Sequence, residues 1–511
     1  MITKKFTPSK LAYPLVFALA GLFGCNPEVE VDPAASLSLD ATSEAQIANG
    51  ASKIKYRGKH YIVLSTQEQL PAGLESKLAA ANGKVNKLMP QAGVASVFSE
   101  DPEFVAKASK IPGVRSVVRD LEIEWLKPED QKVVALENYG TPPFSGDNDR
   151  FFDLQWGHAA IQASEAWNAG ARGKGVRIAV LDSGFDLDHP DLAPNIDLAA
   201  SKSFVTGEQL GYALPGVGSH GTHTAGTIAA ADNGIGIIGV APEAQLILVK
   251  VLRDTGSGAF SWIIDGIVHA TQQGADVINM SLGASLYRNG KYLDDNGTPN
   301  DPTDDFLVKG DTKGVQELLI ALDRATRYAT KNGVTLIASA GNDANNGNAD
   351  QSLVHIPSSS SGVISISATA PRGWALNPLN TFMDNLASYS NYGIKDVQFA
   401  APGGDYMYPG NEIATIAGVT QYVYVFDYVF STGSNLTPGA ASYYWSVGTS
   451  MAAPHATGVA ALIIGQNGGQ MDPAKVLARM RASADDLGKP GRDPYYGYGR
   501  LNALRAVTLT Q

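Results

Sequence analysis

Three short segments hold an acid, an imidazole and a hydroxyl where nucleophilic chemistry could use them. In "VLDSG", Asp182 stands at the end of a buried strand. In "GSHGTHTAG", His220 precedes a helical run, and in "GTSMAAPH", Ser450 opens another. A serine hydroxyl is a poor nucleophile until a base takes its proton, and neutral imidazole titrates in the right range to do so. A buried carboxylate fixes the imidazole tautomer and stabilises the imidazolium that forms. Gly448 and Ala452 flank Ser450 and leave room for a substrate carbonyl. Pro454 falls in or just after the first helical turn, where a missing N–H costs little. Gly-Thr-Ser-Met-Ala is not the Gly-x-Ser-x-Gly elbow, and the order acid, imidazole, hydroxyl also differs from that class.

Groups so far apart in sequence need a scaffold that gathers them. From Gln155 onward the pattern alternates strand and helix. "VRIAVLDSG", "AQLILVKVL", "ADVINMSLG", "VTLIASAGN" and "VISISAT" read as strands, mostly continuous apolar runs that suit a parallel sheet buried on both faces. Phe260–Gln273, Val315–Asn332, Ala452–Gln466 and Pro473–Ser483 read as helices. The fold class is α/β, a doubly wound and mostly parallel sheet. In such sheets strand carboxyl ends and the following helix N-termini share one edge, so Asp182, His220 and Ser450 can converge there.

A smaller unit precedes it. "HYIVLS", Leu70–Ala81, "KVNKLMPQAGVASVF", a helix opened by Asp101 and Pro102, and "VRSVV" give β-α-β-β-α-β, a ferredoxin-like α+β pattern over residues 58–125. Residues 126–150 read as a polar linker, and residues 151–511 as the larger domain. Residues 26–57 are acidic and rich in Ala, Ser, Pro and Asp, a solvated tether. Ahead of it, Lys4, Lys5 and Lys10 precede a short apolar run, Leu11 to Phe23, which suits a signal peptide over residues 1–25. The run ends in Leu-x-Gly-Cys, resembling a bacterial lipobox, with Phe23 an unusual residue before the glycine; Cys25 is then the lipidation site, or else an incidental cysteine after an ordinary signal.

Composition narrows the function. The chain is 44% hydrophobic and 17% charged, so it is globular, and its net charge of -11 argues against a nucleic-acid partner. One cysteine in 511 residues allows no intrachain disulfide.

Asp182, His220 and Ser450, in these motifs and this order, resemble the triad of the subtilisin-like serine proteases. "SAGND" resembles the family segment whose asparagine, here Asn342, donates to the oxyanion together with the Ser450 N–H, and Ala340 and Gly341 of that segment would line the substrate. Gly256, Ser257 and Gly258 in "DTGSGAFSWIIDGIVHA" would form one edge for extended substrate, and Ser281, Leu282 and Gly283 in "NMSLG" the other. The resemblance runs over about residues 150–506. It implies a serine endopeptidase that cleaves proteins or peptides through an acyl-enzyme and needs no cofactor for catalysis. The small domain resembles the family's inhibitory propeptide, which implies an exported, monomeric enzyme made as an inhibited precursor and matured by autocleavage. A cut in the linker would leave Cys25 with the propeptide, so lipid would hold the precursor at the membrane and free the mature protease to the exterior or cell surface.

The same resemblance implies a structural calcium held by Gln155, Asp191, Asn233 and the carbonyls of Ala231, Ile235 and Ile237. Oxygen ligands suit that ion; the alternative is a loop held by its own turn hydrogen bonds. His223 makes H-x-x-H with His220, but a zinc site would want H-E-x-x-H, and His189 reads as a packed loop residue. Three departures from the family pattern stand out. A stretch of roughly 30 residues after Gly283 includes "DDNGTPNDPTDD", a solvated acidic loop. Another, between Pro402 and Ser450, includes "YVYVFDYVF", whose alternation suggests a hairpin strand packed on the core. His355 in "VHIP" takes the place of a glycine at the base of the pocket for the residue before the scissile bond, so a shallower or more polar pocket is expected. The competing reading is a non-catalytic binding lipoprotein that has kept the fold.

Overall fold

Parallel strands cannot leave a face in water when crossover helices cover both sides, and the apolar runs of this chain fold accordingly. The structure is a computed structural model and describes residues 52–126, 148–294, 306–308 and 310–509. The signal segment with Cys25, most of the acidic tether, most of the linker and nearly all of "DDNGTPNDPTDD" lie outside the described residues.

The first part is the expected β-α-β-β-α-β unit: β1 (Ile54–Ser65), α1 (Leu74–Ala80), β2 (Lys84–Met89), β3 (Val94–Phe98), α2 (Phe104–Ala108) and β4 (Val114–Glu124). Its strands are antiparallel in the order β2-β3-β1-β4. α2 starts later than Asp101 and Pro102 suggest, with Glu103 at its N-cap, because Asp101 instead accepts the Glu103 N–H at 2.8 Å in the turn ahead of it. β4 runs six residues beyond "VRSVV", because "RDLEIE" keeps alternating and finds partners on both sides.

The second part contains β5 (Arg177–Asp182), α3 (His220–Ala229), β6 (Gln245–Lys250), β7 (Ser257–Ala259), α4 (Phe260–Gln272), β8 (Val277–Met280), β9 (Ala284–Tyr287), α5 (Thr312–Lys331), β10 (Thr335–Ser339), β11 (Leu353–Ile356), β12 (Val363–Ala370), β13 (Phe399–Pro402) and α6 (Thr449–Gln466). The parallel core of the sheet runs β13-β12-β10-β8-β5-β6. Helix α6 is buried from Thr449 to Ile464, so it is apolar on every side. Helix α5 starts at Thr312, three residues before Val315, since Asp311 caps it by accepting the Gly314 N–H.

"YVYVFDYVF" corrects its expectation in part. Tyr422 ends a short strand, Val419–Tyr422, Val423–Phe426 is a turn of helix, and Val429–Gly433 is a strand paired with Ser442–Ser446. The segment does pack on the core: Val423, Phe426, Tyr428 and Phe430 are buried, so the alternation reflected burial on two sides of an irregular chain. The stretch after Gly283 enters and leaves through a short hairpin, Tyr292–Asp294 with Phe306–Val308, and Tyr292 packs edge-on against Tyr56. Among the described residues no helix is long and apolar enough to cross a membrane.

Candidate active site

Asp182 is the last residue of β5 and is fully buried. Its Oδ1 is 2.8 Å from His220 Nδ1 and also accepts the Ser183 N–H at 2.7 Å, while its Oδ2 accepts the Thr224 hydroxyl at 3.1 Å. A carboxylate held at both oxygens cannot rotate, so it fixes the imidazole as an Nδ1–H donor. His220 is the first residue of α3, capped by Ser219, whose hydroxyl accepts the Thr222 N–H and bonds the Gly184 carbonyl. Gly221 permits this approach, since a Cβ there would strike the Phe185 ring and the Gly184 carbonyl.

Ser450 is the second residue of α6, reached through Gly448, whose φ of 149° favours glycine. The Ser450 hydroxyl donates to the Ser281 carbonyl at 3.0 Å. Asn342 Oδ1 accepts both the N–H (2.9 Å) and the hydroxyl (2.7 Å) of Thr449, which turns Nδ2 to the side of Gly448 and the nucleophile. His220, Asn342, Gly283, His355 and Ser450 line one cavity of about 40 Å³ beside Trp125 and Leu126. A further chain lay beyond sequence reasoning: Thr457 donates to Asn279, Asn279 to Ser281 Oγ, and Ser281 Oγ to the Ser450 carbonyl, all within 3.0 Å. These bonds pin the strand end after β8 to the start of α6.

Both expected cleft edges are engaged. β7 pairs antiparallel with β4, with Glu122, Ile123 and Glu124 opposite Ala259, Gly258 and Ser257. The Gly256 carbonyl accepts the N–H groups of Trp125 and Leu126, and the Gly283 N–H donates to the Trp125 carbonyl, each at 3.3 Å. Trp125 lies against Phe260 and donates its indole N–H to the Gly258 carbonyl at 3.0 Å. Ser52, ahead of β1, donates its N–H to the Ser285 carbonyl and accepts the Ser285 N–H on its hydroxyl, so it occupies the continuation of the second edge. Leu282 is buried behind that edge. Ala340 and Gly341 form a wall, because the Ala340 N–H and carbonyl go to Ile366 and Asn391, and the Gly341 N–H goes to Thr449. His355 hydrogen-bonds Ser358 at 2.9 Å, and its ring fills the space next to Gly283 and Gly341 where a Cβ on either would sit.

The residues expected around calcium do meet. Asp191 is fully buried; its Oδ2 accepts the Ile237 N–H and the Tyr443 hydroxyl, and its Oδ1 has no hydrogen-bond partner among the described residues. Burial first, and the charge of Asp149 as well, pushes this carboxyl up to about 7. A buried carboxylate oxygen without a donor, beside the loop that carries Ala231, Asn233, Ile235 and Ile237, fits a hard cation. Gln155 is the weaker member, because its amide exchanges two hydrogen bonds with the main chain of Ile238. Asn233 Oδ1 accepts the Ile235 N–H. His223 is buried against Tyr444 with Nε2 on the Val429 carbonyl, and burial together with His220 lowers it to about 3. His189 is likewise packed, between Ser442 and the Asp191 N–H.

Comparison with known proteins places this geometry. The subtilase family (Peptidase_S8) matches residues 173–499. Subtilisin E of Bacillus subtilis is 34% identical over 445 residues, covering 87% of this chain and 93% of that protein. A thermostable alkaline protease of Halalkalibacterium halodurans is 30% identical, covering 80% and 87%. Among solved structures, a lanthipeptide protease superposes with a TM-score of 0.53 at 28% identity, covering 73% of this chain and 99% of that one. Fervidolysin from Fervidobacterium pennivorans shares the fold, with a TM-score of 0.63 at 24% identity, covering 90% and 64%. The chain therefore belongs to the subtilase family and is a subtilisin-type serine endopeptidase.

Proposed function

We propose that this endopeptidase is exported as a self-inhibited precursor and matures by its own cut in the linker after Leu126. The observation that carries this reading is the extended segment from Glu122 to Leu126: residues 122–124 pair with Ser257–Ala259 on the first edge, and Trp125 bonds to Gly256 and Gly283 across both edges, as an extended substrate would. In the precursor, residues 58–125 act as an inhibitory propeptide and the Ser450 hydroxyl rests on Ser281. Export is supported by the signal-like segment and by similarity to the minor extracellular protease Epr of Bacillus subtilis, 29% identical over 434 residues. Lipid on Cys25 would anchor the precursor, and the cut would release a lipid-free enzyme as a monomer.

Catalysis follows from the geometry. The Ser450 hydroxyl turns from Ser281 to His220 Nε2, gives up its proton there and attacks the scissile carbonyl carbon. Asp182 holds the Nδ1–H and balances the imidazolium. Asn342 Nδ2 and the Ser450 N–H at the start of α6 receive the oxyanion. The tetrahedral intermediate collapses as His220 protonates the leaving nitrogen, and water then reverses these steps on the acyl-enzyme. General acid–base help of this kind is worth about 10²–10⁴-fold, so His220→Ala should lose at least that much.

Asp191, Asn233 and the carbonyls of Ala231, Ile235 and Ile237, with Gln155 after a shift of its amide, would hold calcium. The ion would supply charge neutralisation to a buried loop and takes no part in the reaction. His355 makes the pocket before the scissile bond short and polar; His355→Gly should raise cleavage after large apolar residues, and an unchanged profile would remove that role.

The experiment for the whole reading is labelling of the matured protein with a fluorophosphonate probe. Ser450 should be modified in wild type, and the Ser450→Ala precursor should stay uncut; an unlabelled, processed wild-type protein would overturn it.

A further inference from the structure

Arg253 opens the turn that presents the first cleft edge: its N–H donates to the Ser257 carbonyl at 2.7 Å and its carbonyl accepts the Gly256 N–H at 2.9 Å. Its guanidinium lies over the Trp262 ring at 5.3 Å, and one terminal nitrogen is 3.4 Å from Glu208 Oε1. Glu208 is itself fixed by Lys250, 3.1 Å from its other oxygen, and by the Asp254 N–H at 3.0 Å. Lys250 also pairs with Asp254, so Glu208, Asp254 and Lys250 together carry one negative charge, which holds Arg253 in place. Every one of these supports belongs to the larger part of the molecule. The remaining edge of the guanidinium, Nε, points to Glu122 Oε1 at 3.3 Å, and Glu122 is the strand residue opposite Ala259. A second arginine on Trp262, Arg57, comes from β1 and leaves with it.

We propose that Arg253 forms a distal subsite that reads an acidic side chain on the substrate residue paired with Ala259. The proposal rests on the reading that Glu122–Leu126 lies in the cleft as substrate does. Since the described strand reaches Leu126 before any cut, the acidic position is the fifth residue or further ahead of the scissile bond. Arg253 is held by Trp262 and Glu208 before substrate arrives, so little side-chain entropy is lost when it engages a carboxylate. The pair is about one-third exposed on each side, which limits its worth to that of a surface ion pair.

The test uses the full chain, expressed and left to mature, and quenched peptides spanning residues 119–140 with Glu, Gln or Lys at position 122. Ratios of kcat/KM within one preparation do not depend on how much enzyme matured. Wild type should favour Glu over Gln by about two- to five-fold and Gln over Lys, with the gap shrinking in 0.5 M salt. Arg253→Glu should reverse the order, and Arg253→Gln should flatten it. Equal rates for the three peptides in wild type, or the same order in Arg253→Glu, overturn the subsite. Hydrolysis of casein with none of the peptides cut overturns the substrate-like strand and the subsite with it, whereas failure to hydrolyse casein sinks the protease reading itself.

Discussion

The two sheets of this molecule solve burial differently. The parallel sheet is covered on both faces by its own helices, and the core on one side alone runs from Phe151 to Ala506. The small antiparallel sheet covers one face with α1 and α2, around Val63, Leu78, Val97 and Phe104. Its other face, with Ile62, Leu64, Met89, Val94, Val118 and Leu121, belongs to the same cluster as Phe260, Ile264, Leu318 and Leu322 of α4 and α5. One sheet carries its own partner; the other borrows it. Each buried apolar side chain is worth about 1.5–3 kcal/mol, and small domains have only about 5–15 kcal/mol in total. Six such residues on a borrowed face come to about 9–18 kcal/mol, as large as that whole margin.

The largest consequence is that residues 52–126 alone should lack a cooperative fold and gain one on mixing with the protease. Circular dichroism decides this, and a sigmoidal melt of the isolated segment would break the contrast. The larger sheet should depend instead on the loop proposed to hold calcium: chelation should lower its Tm, since calcium at a hundred times its Kd would contribute about 2.7 kcal/mol. A Tm indifferent to chelator would remove calcium from the account. Third comes Glu317 on α5, which accepts Arg115 at 2.9 and 3.2 Å and the Ser116 hydroxyl at 2.9 Å. Glu317→Ala should weaken inhibition by the cleaved segment by about 1–3 kcal/mol, toward the lower figure because Arg115 is 43% exposed.

The smallest effect is in pH. Asp120 of β4 is buried and accepts the N–H and hydroxyl of Ser261 in the first turn of α4, with Arg57 at 3.5 Å. Burial pushes its carboxyl above the ordinary 3.8, although Ser261 and Arg57 pull the other way. A raised acid binds its proton more tightly when docked, so its contribution is full below 3.8 and is lost as pH rises through the shifted value. Burial also pushes Glu317 up, but Arg115 and Ser116 outweigh it and leave that carboxyl lowered. Its contribution has the opposite sign, present above 4.5 and lost as pH falls. Docking should therefore slacken slightly as pH rises above 3.8, and Asp120→Asn should flatten that slope while leaving the loss at lower pH. An unaltered slope in the variant would assign the dependence to another group.

What the sequence made legible was whatever local pattern controls. Asp182 had to end a strand, and His220 and Ser450 had to begin helices, so the buried runs and small residues around them announced their positions. The β-α-β-β-α-β order was equally readable from alternation. The partners of β4 were not, because main-chain pairing with Ser257–Ala259 leaves no mark on either side-chain pattern. The same holds for Ser52 on Ser285, for Thr457 reaching Asn279, and for Tyr443 donating to Asp191, which join residues 178 or more positions apart in all cases. "YVYVFDYVF" misled because burial from two sides mimics the period of a strand.

Ser52 carries one last implication, a mechanical one. The chain enters the small sheet at Ser52 and leaves it at Leu126, and both points lie on the cleft, since Ile54, Lys55 and Tyr56 of β1 run beside Ile123, Glu122 and Leu121 of β4. A pull applied ahead of Ser52 falls first on its two bonds to Ser285 and then peels β1 from β4 one pair at a time, the low-force direction for an antiparallel ribbon. A pull applied beyond Leu126 instead drags the strand lengthwise between Gly256 and Gly283. Tension on the amino-terminal side therefore opens the docked form more readily than tension from the linker.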